Sequence, residues 1–278
     1  MDVAVGIVAQ RDNERAQELA ETLVETLERA DDTAAVVVDE ATGTAIGREH
    51  VPVAAMADRD LVVSIGGDGT LLFVAREVGS TPILGVNLGE VGFLNAVTPA
   101  DAVSVVTDLV ATLRETGDIE GRELARLRAS GDDWTLEPAL NEIVVHGPRR
   151  GRGGGVTVET RVDGEHYAES HADGVLVATP TGSSAYNLSE RGPLVHPAAD
   201  TLVVTQMAAA NAMPPLVVDP DAEITLAVSG ADTAYAISDG RTRRELEPPA
   251  TVEVSVADDP VTLVGPQANF FDGLEKLE

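Results

Sequence analysis

Residues 61–75, LVVSIGGDGTLLFVA, decide how the chain is read. Residues 61–65 form a short, β-branched apolar run, the pattern of a strand covered on both faces. The run stops at Gly66-Gly67-Asp68-Gly69-Thr70, and apolar residues resume at helical spacing over 70–78. A glycine-rich strand-to-helix junction lets backbone N–H groups approach a phosphate, and the helix N-terminus adds positive potential. It is not a Walker loop, because no G-x-x-x-x-G-K-[ST] occurs and Lys276 is the only lysine. Nor does it follow the G-x-G-x-x-G dinucleotide pattern. Asp68 admits two readings. As a helix N-cap it would close a tight turn. As a chemical group it would accept the proton of a hydroxyl attacking a phosphoryl group, or help hold Mg²⁺. A cap accounts for the acid but leaves three glycines unexplained.

Outward from this junction the first third alternates strand and helix signals. Strands are expected at 3–9, 34–38, 61–65 and 83–86, and helices at 14–30, 70–78 and 99–114. That rhythm belongs to a parallel sheet with flanking helices, an α/β domain. The character changes near 116–121. Short alternating segments follow at 123–129, 140–146, 156–162, 175–179, 202–206, 223–228, 234–237 and 252–256, separated by Gly, Pro and Asp turns. They point to an all-β, sandwich-like domain. The expected division is 1–117 for the α/β domain, 118–258 for the β-rich domain and 259–278 for a closing segment. That last segment includes a short helix whose Phe270 and Phe271 need burial. The arginine- and glycine-rich patch at 149–155 is either a mobile hairpin loop or a phosphate-contacting arm.

The 278 residues carry 47 acidic against 19 basic side chains, a formal charge of −28. The acids spread along the whole chain, so the surface repels itself in dilute buffer; at about 1 M salt, a Debye length of roughly 3 Å screens it. This composition suits a salt-adapted protein; the alternative is an acidic but ordinary soluble one. It disfavours nucleic acid as a partner, and no apolar stretch is long enough to span a membrane. The N-terminus lacks a basic n-region, and with no cysteine the expected location is cytoplasmic. An anionic substrate must find local help from backbone amides, arginines or a metal ion.

Two further constellations carry chemistry. Thr179-Pro180-Thr181-Gly182-Ser183-Ser184-Ala185-Tyr186 follows Asp173-Gly174 and a strand. Its hydroxyls and amides suit a base edge or ribose, and Tyr186 offers a flat face; alternatively the turn caps a helix near 185–190. Asn141-Glu142 puts an amide and an acid inside a strand signal, costly unless both find partners. A ribose diol would suit them, as would an exposed strand edge.

In this order the pieces resemble the NAD kinase family. GGDGT at 66–70, GVNLGEVGFL at 85–94, LNEIVV at 140–145, DGVLVATPTGSSAY at 173–186 and FFDGL near the end are similar to its motifs. GGDGT alone is shared with diacylglycerol and sphingosine kinases. The resemblance, with the acidic composition, implies a halophilic-archaeal member. It implies transfer of a phosphoryl group from ATP or polyphosphate, with a divalent metal such as Mg²⁺, to the adenosine-ribose 2′-hydroxyl of NAD. By position, Asp68 would activate the hydroxyl, while Gly66, Gly67, Gly69 and Thr70 would shape the phosphate site. Phe93, Asn141, Glu142, Asp173, Thr181, Ser184, Ala185 and Tyr186 would contact NAD. The metal ligands are not identified. Members usually form homodimers or homotetramers, with sites completed near subunit contacts. One departure stands out. Where the family commonly carries Pro-His-Ser-Leu and then Arg-Pro, residues 207–218 read MAAANAMPPLVV. The missing groups are either lost or replaced by something such as Arg191, Arg241 or Arg243. A lipid kinase and a catalytically weak NAD-binding paralogue are the alternative readings.

Overall fold

In the computed structural model, residues 2–29, 35–89, 93–149, 151, 154–209, 211–267 and 269–274 are described. The chain divides into two compact units, Met1–Leu124 with Asp259–Glu278, and Ala125–Asp258. No helix among the described residues is long and apolar enough to cross a membrane.

The first unit runs Ala4–Ala9 (β1), Glu14–Arg29 (α1), Ala35–Asp39 (β2), Glu40–Ile46 (α2), His50–Val51 (β3), Leu61–Ile65 (β4), Asp68–Val78 (α3), Ile83–Val86 (β5), Ala102–Thr116 (α4) and Gly121–Leu124 (β6). The chain returns to it as the strand Val261–Val264 and the helix Phe270–Leu274. Its seven-stranded sheet has the order β3-β2-β1-β4-β5, then Val261–Val264, then β6. All pairings are parallel except that of β6 with the returning strand. Every residue of β4 is buried, because the sheet is covered on both faces. Leu61, Val63 and Ile65 pack with Ala16, Ala20, Leu23, Val24 and Leu27 of α1 and Val106, Val110 and Leu113 of α4. Each buried Leu or Val in that layer contributes about 1.5–3 kcal/mol.

The expected helix at 99–114 begins three residues late, at Ala102. A helix not expected from sequence, α2, is capped by Asp39, whose carboxylate accepts from the N–H groups of Ala41 and Thr42. Of the two phenylalanines expected to bury, Phe271 is 65% exposed. The Phe270 ring lies 5.8 Å from that of Phe93, tilted by 49°.

The second unit runs Leu127–Gly131 (β7), Trp134–Thr135 (β8), Glu142–His146 (β9), Val156–Val162 (β10), Glu165–Ala172 (β11), Gly174–Ala178 (β12), Tyr186–Ser189 (α5), Leu202–Met207 (β13), Leu216–Val218 (β14), Ile224–Ser229 (β15), Ala234–Ser238 (β16), Thr242–Leu246 (β17) and Ala250–Val256 (β18). Two antiparallel six-stranded sheets, β11-β10-β15-β18-β7-β8 and β14-β13-β12-β9-β16-β17, share one core. Alternating residues from both inner faces fill it: Val156, Val158, Leu226 and Val254 from one, Ile143, Val145, Val175 and Val204 from the other. The single strand expected at 123–129 is in fact two. The backbone leaves the first unit's sheet after Leu124 and enters the sandwich at Leu127. Arg126, 3% exposed, sits in the break.

Candidate functional site

In the first unit, β1 and β4 are neighbours, yet the chain leaves β1 for β2 on one side and reaches β4 on the other. At such a switch point the carboxyl ends of the strands leave a crevice, the usual ligand position of open α/β sheets. Gly66-Gly67-Asp68 emerges there from β4. Gly67 is the N-cap residue of α3, with no side-chain cap, and Asp68 is the first helical residue. The capping reading of Asp68 is therefore set aside.

The Asp68 carboxylate is instead held from the loop after β5. One oxygen accepts the Phe93 N–H at 3.1 Å; the other accepts the Leu94 N–H at 3.4 Å and the Asn95 side-chain amide at 3.3 Å. Asn95, 1% exposed, also donates to the Gly66 carbonyl. Asn95 escaped the sequence reading, although a lone amide in the apolar stretch GFLNAV was a usable signal. The glycines divide by function. A Cβ on Gly66 would meet Thr70 Oγ1 at 2.4 Å, so this glycine serves packing. A Cβ on Gly67 or Gly69 would meet nothing within 4 Å. Beside a half-buried acid at a helix N-terminus, that open volume is accessible to an incoming group. Phe93 offers its backbone to Asp68, while its ring packs against Phe270 and Gly273. Glu90, Val91 and Gly92 of the 85–94 motif lie outside the described residues.

The second unit brings two of the other motifs together. Glu142 pairs with Ala178 across β9 and β12, so Asn141 meets the start of the hydroxyl-rich turn. Thr179 donates its N–H to the Asn141 carbonyl at 2.9 Å and its hydroxyl to the Leu140 carbonyl at 2.6 Å. Gly182 lies so close that a Cβ would fall 2.0 Å from the Asn141 carbonyl oxygen. Thr181, Ser184, Ala185 and Tyr186 remain half-buried around this contact. Ser183 is spent on structure, bonding the Pro180 and Val195 carbonyls and the Val195 N–H. Beneath the pair stands Asp239, also unforeseen. It accepts the N–H groups of Leu140, Asn141 and Glu142 at 2.8, 2.8 and 3.2 Å.

Glu142 is 6% exposed, and its Oε2 has no hydrogen-bond partner. Burial first, and the Asp239 charge second, raise its carboxyl from the ordinary 4.5 to about 7 against the opposing Tyr186 N–H. A buried carboxylate oxygen in this position can accept from a hydroxyl donor.

Asp173 does not join this cluster. It precedes β12, six residues before Thr179 at the other end of the strand, and that strand spans about 17 Å. There its carboxylate accepts the Gly151 N–H at 2.8 Å, in the 149–155 patch. Arg150, Arg152 and Gly153 of the patch lie outside the described residues, as does Ala210 of the 207–218 segment. Of the three arginines named as replacements for the family groups, Arg191 has a left-handed backbone, with φ 66°, and Arg243 lies 4.6 Å over the Tyr235 ring. Among the described residues no three acidic or histidine side chains stand together to hold a metal ion.

Residues 5–113 match the ATP-NAD kinase N-terminal domain, and residues 140–265 match the ATP-NAD kinase C-terminal domain. An NAD kinase of Haloarcula marismortui is 55% identical over 99% of this chain and 100% of its own length. One from Halobacterium salinarum is 54% identical over 99% of each. Yeast NADH kinase complexed with NADH has a similar fold, with a TM-score of 0.84 at 21% identity, covering 100% of this chain and 88% of that one. An Archaeoglobus fulgidus NAD kinase in complex with ATP gives 0.79 at 23% identity, covering 99% and 98%. With both domains matched along most of the sequence and relatives more than half identical across 99% of it, the chain belongs to the NAD kinase family.

Proposed function

We propose that the protein phosphorylates the 2′-hydroxyl of the adenosine ribose of NAD. The ribose oxygen attacks the terminal phosphorus of ATP or polyphosphate, and its proton passes to the Asp68 carboxylate. The bond from that phosphorus to the bridging oxygen breaks, releasing ADP or a shortened polyphosphate together with NADP. The observation that carries this reading is the Asp68 carboxylate, oriented by Phe93, Leu94 and Asn95 under the open space at Gly67 and Gly69. Phosphoryl transfer asks mainly for positioning, and this arrangement supplies it.

In this reading Gly66 and Thr70 set the turn, and the amides at Gly67 and Gly69 face phosphate. Asn141 and Glu142 take ribose hydroxyls, with the unsatisfied Glu142 Oε2 as acceptor, while Thr181, Ser184, Ala185 and Tyr186 line the nucleoside. Phe93 contributes through its backbone. Asp173 lies at the far end of β12 from Glu142, so its contact with NAD belongs to a site completed by a second copy in a homodimer or homotetramer. Mg²⁺ would supply charge neutralisation on the donor phosphates when bound, and Asp68 is the acid that would help hold it. Family membership sets the lipid-kinase alternative aside.

The test is NADP formation by the purified protein in molar KCl with Mg²⁺ and NAD, run with ATP and with polyphosphate in parallel. Turnover with either donor supports the reading and identifies the donor. NAD binding without NADP from both donors would instead mark a silent paralogue.

Gly69→Ala separates folding from function. Gly69 is helical and a Cβ there meets nothing, so alanine stabilises α3 by about 0.5–1 kcal/mol. Activity nevertheless falls by roughly tenfold or more, because the methyl group displaces the reacting phosphate. A variant both more stable and fully active would remove phosphate from this space.

A further inference from the structure

With 47 acidic side chains available, an arginine in this protein has no shortage of partners. Arg29, Arg48, Arg128, Arg161 and Arg244 each pair with a carboxylate. Arg122 makes no ion pair among the described residues. It lies half-buried on β6, and its buried Nε has no hydrogen-bond partner. Burial alone pushes its guanidinium below the ordinary arginine value, as expected of a cation without a counter-charge.

The position of this cation in the sheet is informative. Arg122 pairs with Leu263, which in turn pairs with Ile83 of β5. It lines a slot of about 20 Å³ together with Gly85, Leu94, Ala96 and Gln267. Leu94 and the intervening Asn95 are among the residues that donate to Asp68. The cation and the proposed base thus both border one short segment, residues 94–96. A slot of this size admits a water or a single phosphate oxygen, and no nucleoside. From β4 to β6 is three strand spacings, roughly 14 Å. An arginine side chain and a chain of two or three phosphates bridge that gap together.

We propose that Arg122 binds the phosphoryl donor, its guanidinium gripping a phosphate that is not transferred. The proposal rests on the kinase reading above. Arginine suits the task because its planar fork offers two parallel N–H groups to one phosphate, and its charge does not depend on pH.

The experiment compares wild type, Arg122→Met and Arg122→Lys in molar KCl. Initial rates are measured against donor at saturating NAD and against NAD at saturating donor. Inorganic tripolyphosphate is also titrated calorimetrically into each full chain. In Arg122→Met the donor KM rises by at least about tenfold, the equivalent of one charge-assisted hydrogen bond. The NAD KM stays unchanged, and tripolyphosphate binding weakens in step. Arg122→Lys falls between the two, retaining charge without the fork. Methionine keeps the apolar stem, so an unchanged thermal midpoint separates the effect from unfolding. An unchanged donor KM in Arg122→Met, or equal increases in both KM values, overturns the proposal. If the wild type makes no NADP, the kinase reading fails on its own. The tripolyphosphate titration still decides the anion site: binding lost in Arg122→Met retains it, while equal or absent binding removes it.

Discussion

Asp68→Asn lowers NADP formation by roughly a hundred- to ten-thousandfold, the range for removal of a positioned proton acceptor. The side chains are isosteric, so the variant isolates charge and basicity. Both Asp68 oxygens accept N–H groups in the native protein. The amide nitrogen of asparagine must therefore face one of those donors, and a hydrogen bond is lost. That bond contributes about 1 kcal/mol in a half-exposed position. The acid also begins α3, where loss of its charge costs another 0.3–1 kcal/mol or so. The combined stability cost is about 2 kcal/mol at most, against roughly 3–5 kcal/mol of transition-state stabilisation for the predicted rate loss. The variant is accordingly folded, still binds NAD, and is nearly inactive. The measurements are turnover under saturating substrates, NAD affinity by calorimetry and the thermal midpoint. A rate close to wild type would refute the base assignment, whatever the stability.

The region around Asp68 was legible for a simple physical reason. A strand buried on both faces is a continuous apolar run, and three glycines around one acid are conspicuous beside it. The sandwich was legible for the same kind of reason, in the alternation of residues 156–162 and 223–228. Other elements were hidden by tertiary effects. The helix α2, EATGTAI, consists largely of poor helix formers and depends on its Asp39 cap. In β11, EHYAESHA, the edge strand of its sheet, polar residues predominate and only Ala168 and Ala172 are buried. Residues 123–129, ELARLRA, pass between two sheets without a Gly, Pro, Asn or Asp, so no turn residue marked the break at Arg126.

The candidate residues were legible by motif, but which of them meet in space was not. Asn141-Glu142 and the 179–186 turn meet because β9 and β12 pair with Glu142 opposite Ala178. The same register carries Asp173 to the far end, which spacing alone could not reveal. Asp239 looked like any Ser-Asp-Gly turn. It acts on Glu142 only because β16 pairs with β9, placing its carboxylate under three backbone N–H groups some 97–99 residues away.

The Glu142–Asp239 arrangement leads to the second large effect, a pH-dependent gain in stability in Glu142→Gln. The folded-state value of Glu142, about 7, lies above its ordinary 4.5. Its neutral form is therefore the one the fold favours. The resulting cost is absent below about pH 4.5, grows as pH rises through that interval, and is complete above pH 7. Glutamine stays neutral throughout and escapes it. At pH 8 the variant is more stable than wild type by up to about 3 kcal/mol, and the advantage shrinks steadily towards pH 5. Thermal midpoints in molar KCl at several pH values measure this; a difference that does not change with pH would show that Glu142 is not strained by its own charge. The same substitution weakens NAD binding, because hydroxyl donors favour the ionised form that glutamine lacks. Wild-type NAD binding near pH 7 accordingly releases a proton as Glu142 ionises against the ribose. Calorimetry in two buffers of different ionisation enthalpy registers that proton in the wild type and not in Glu142→Gln. Equal buffer dependence in the two proteins would place the ribose away from Glu142.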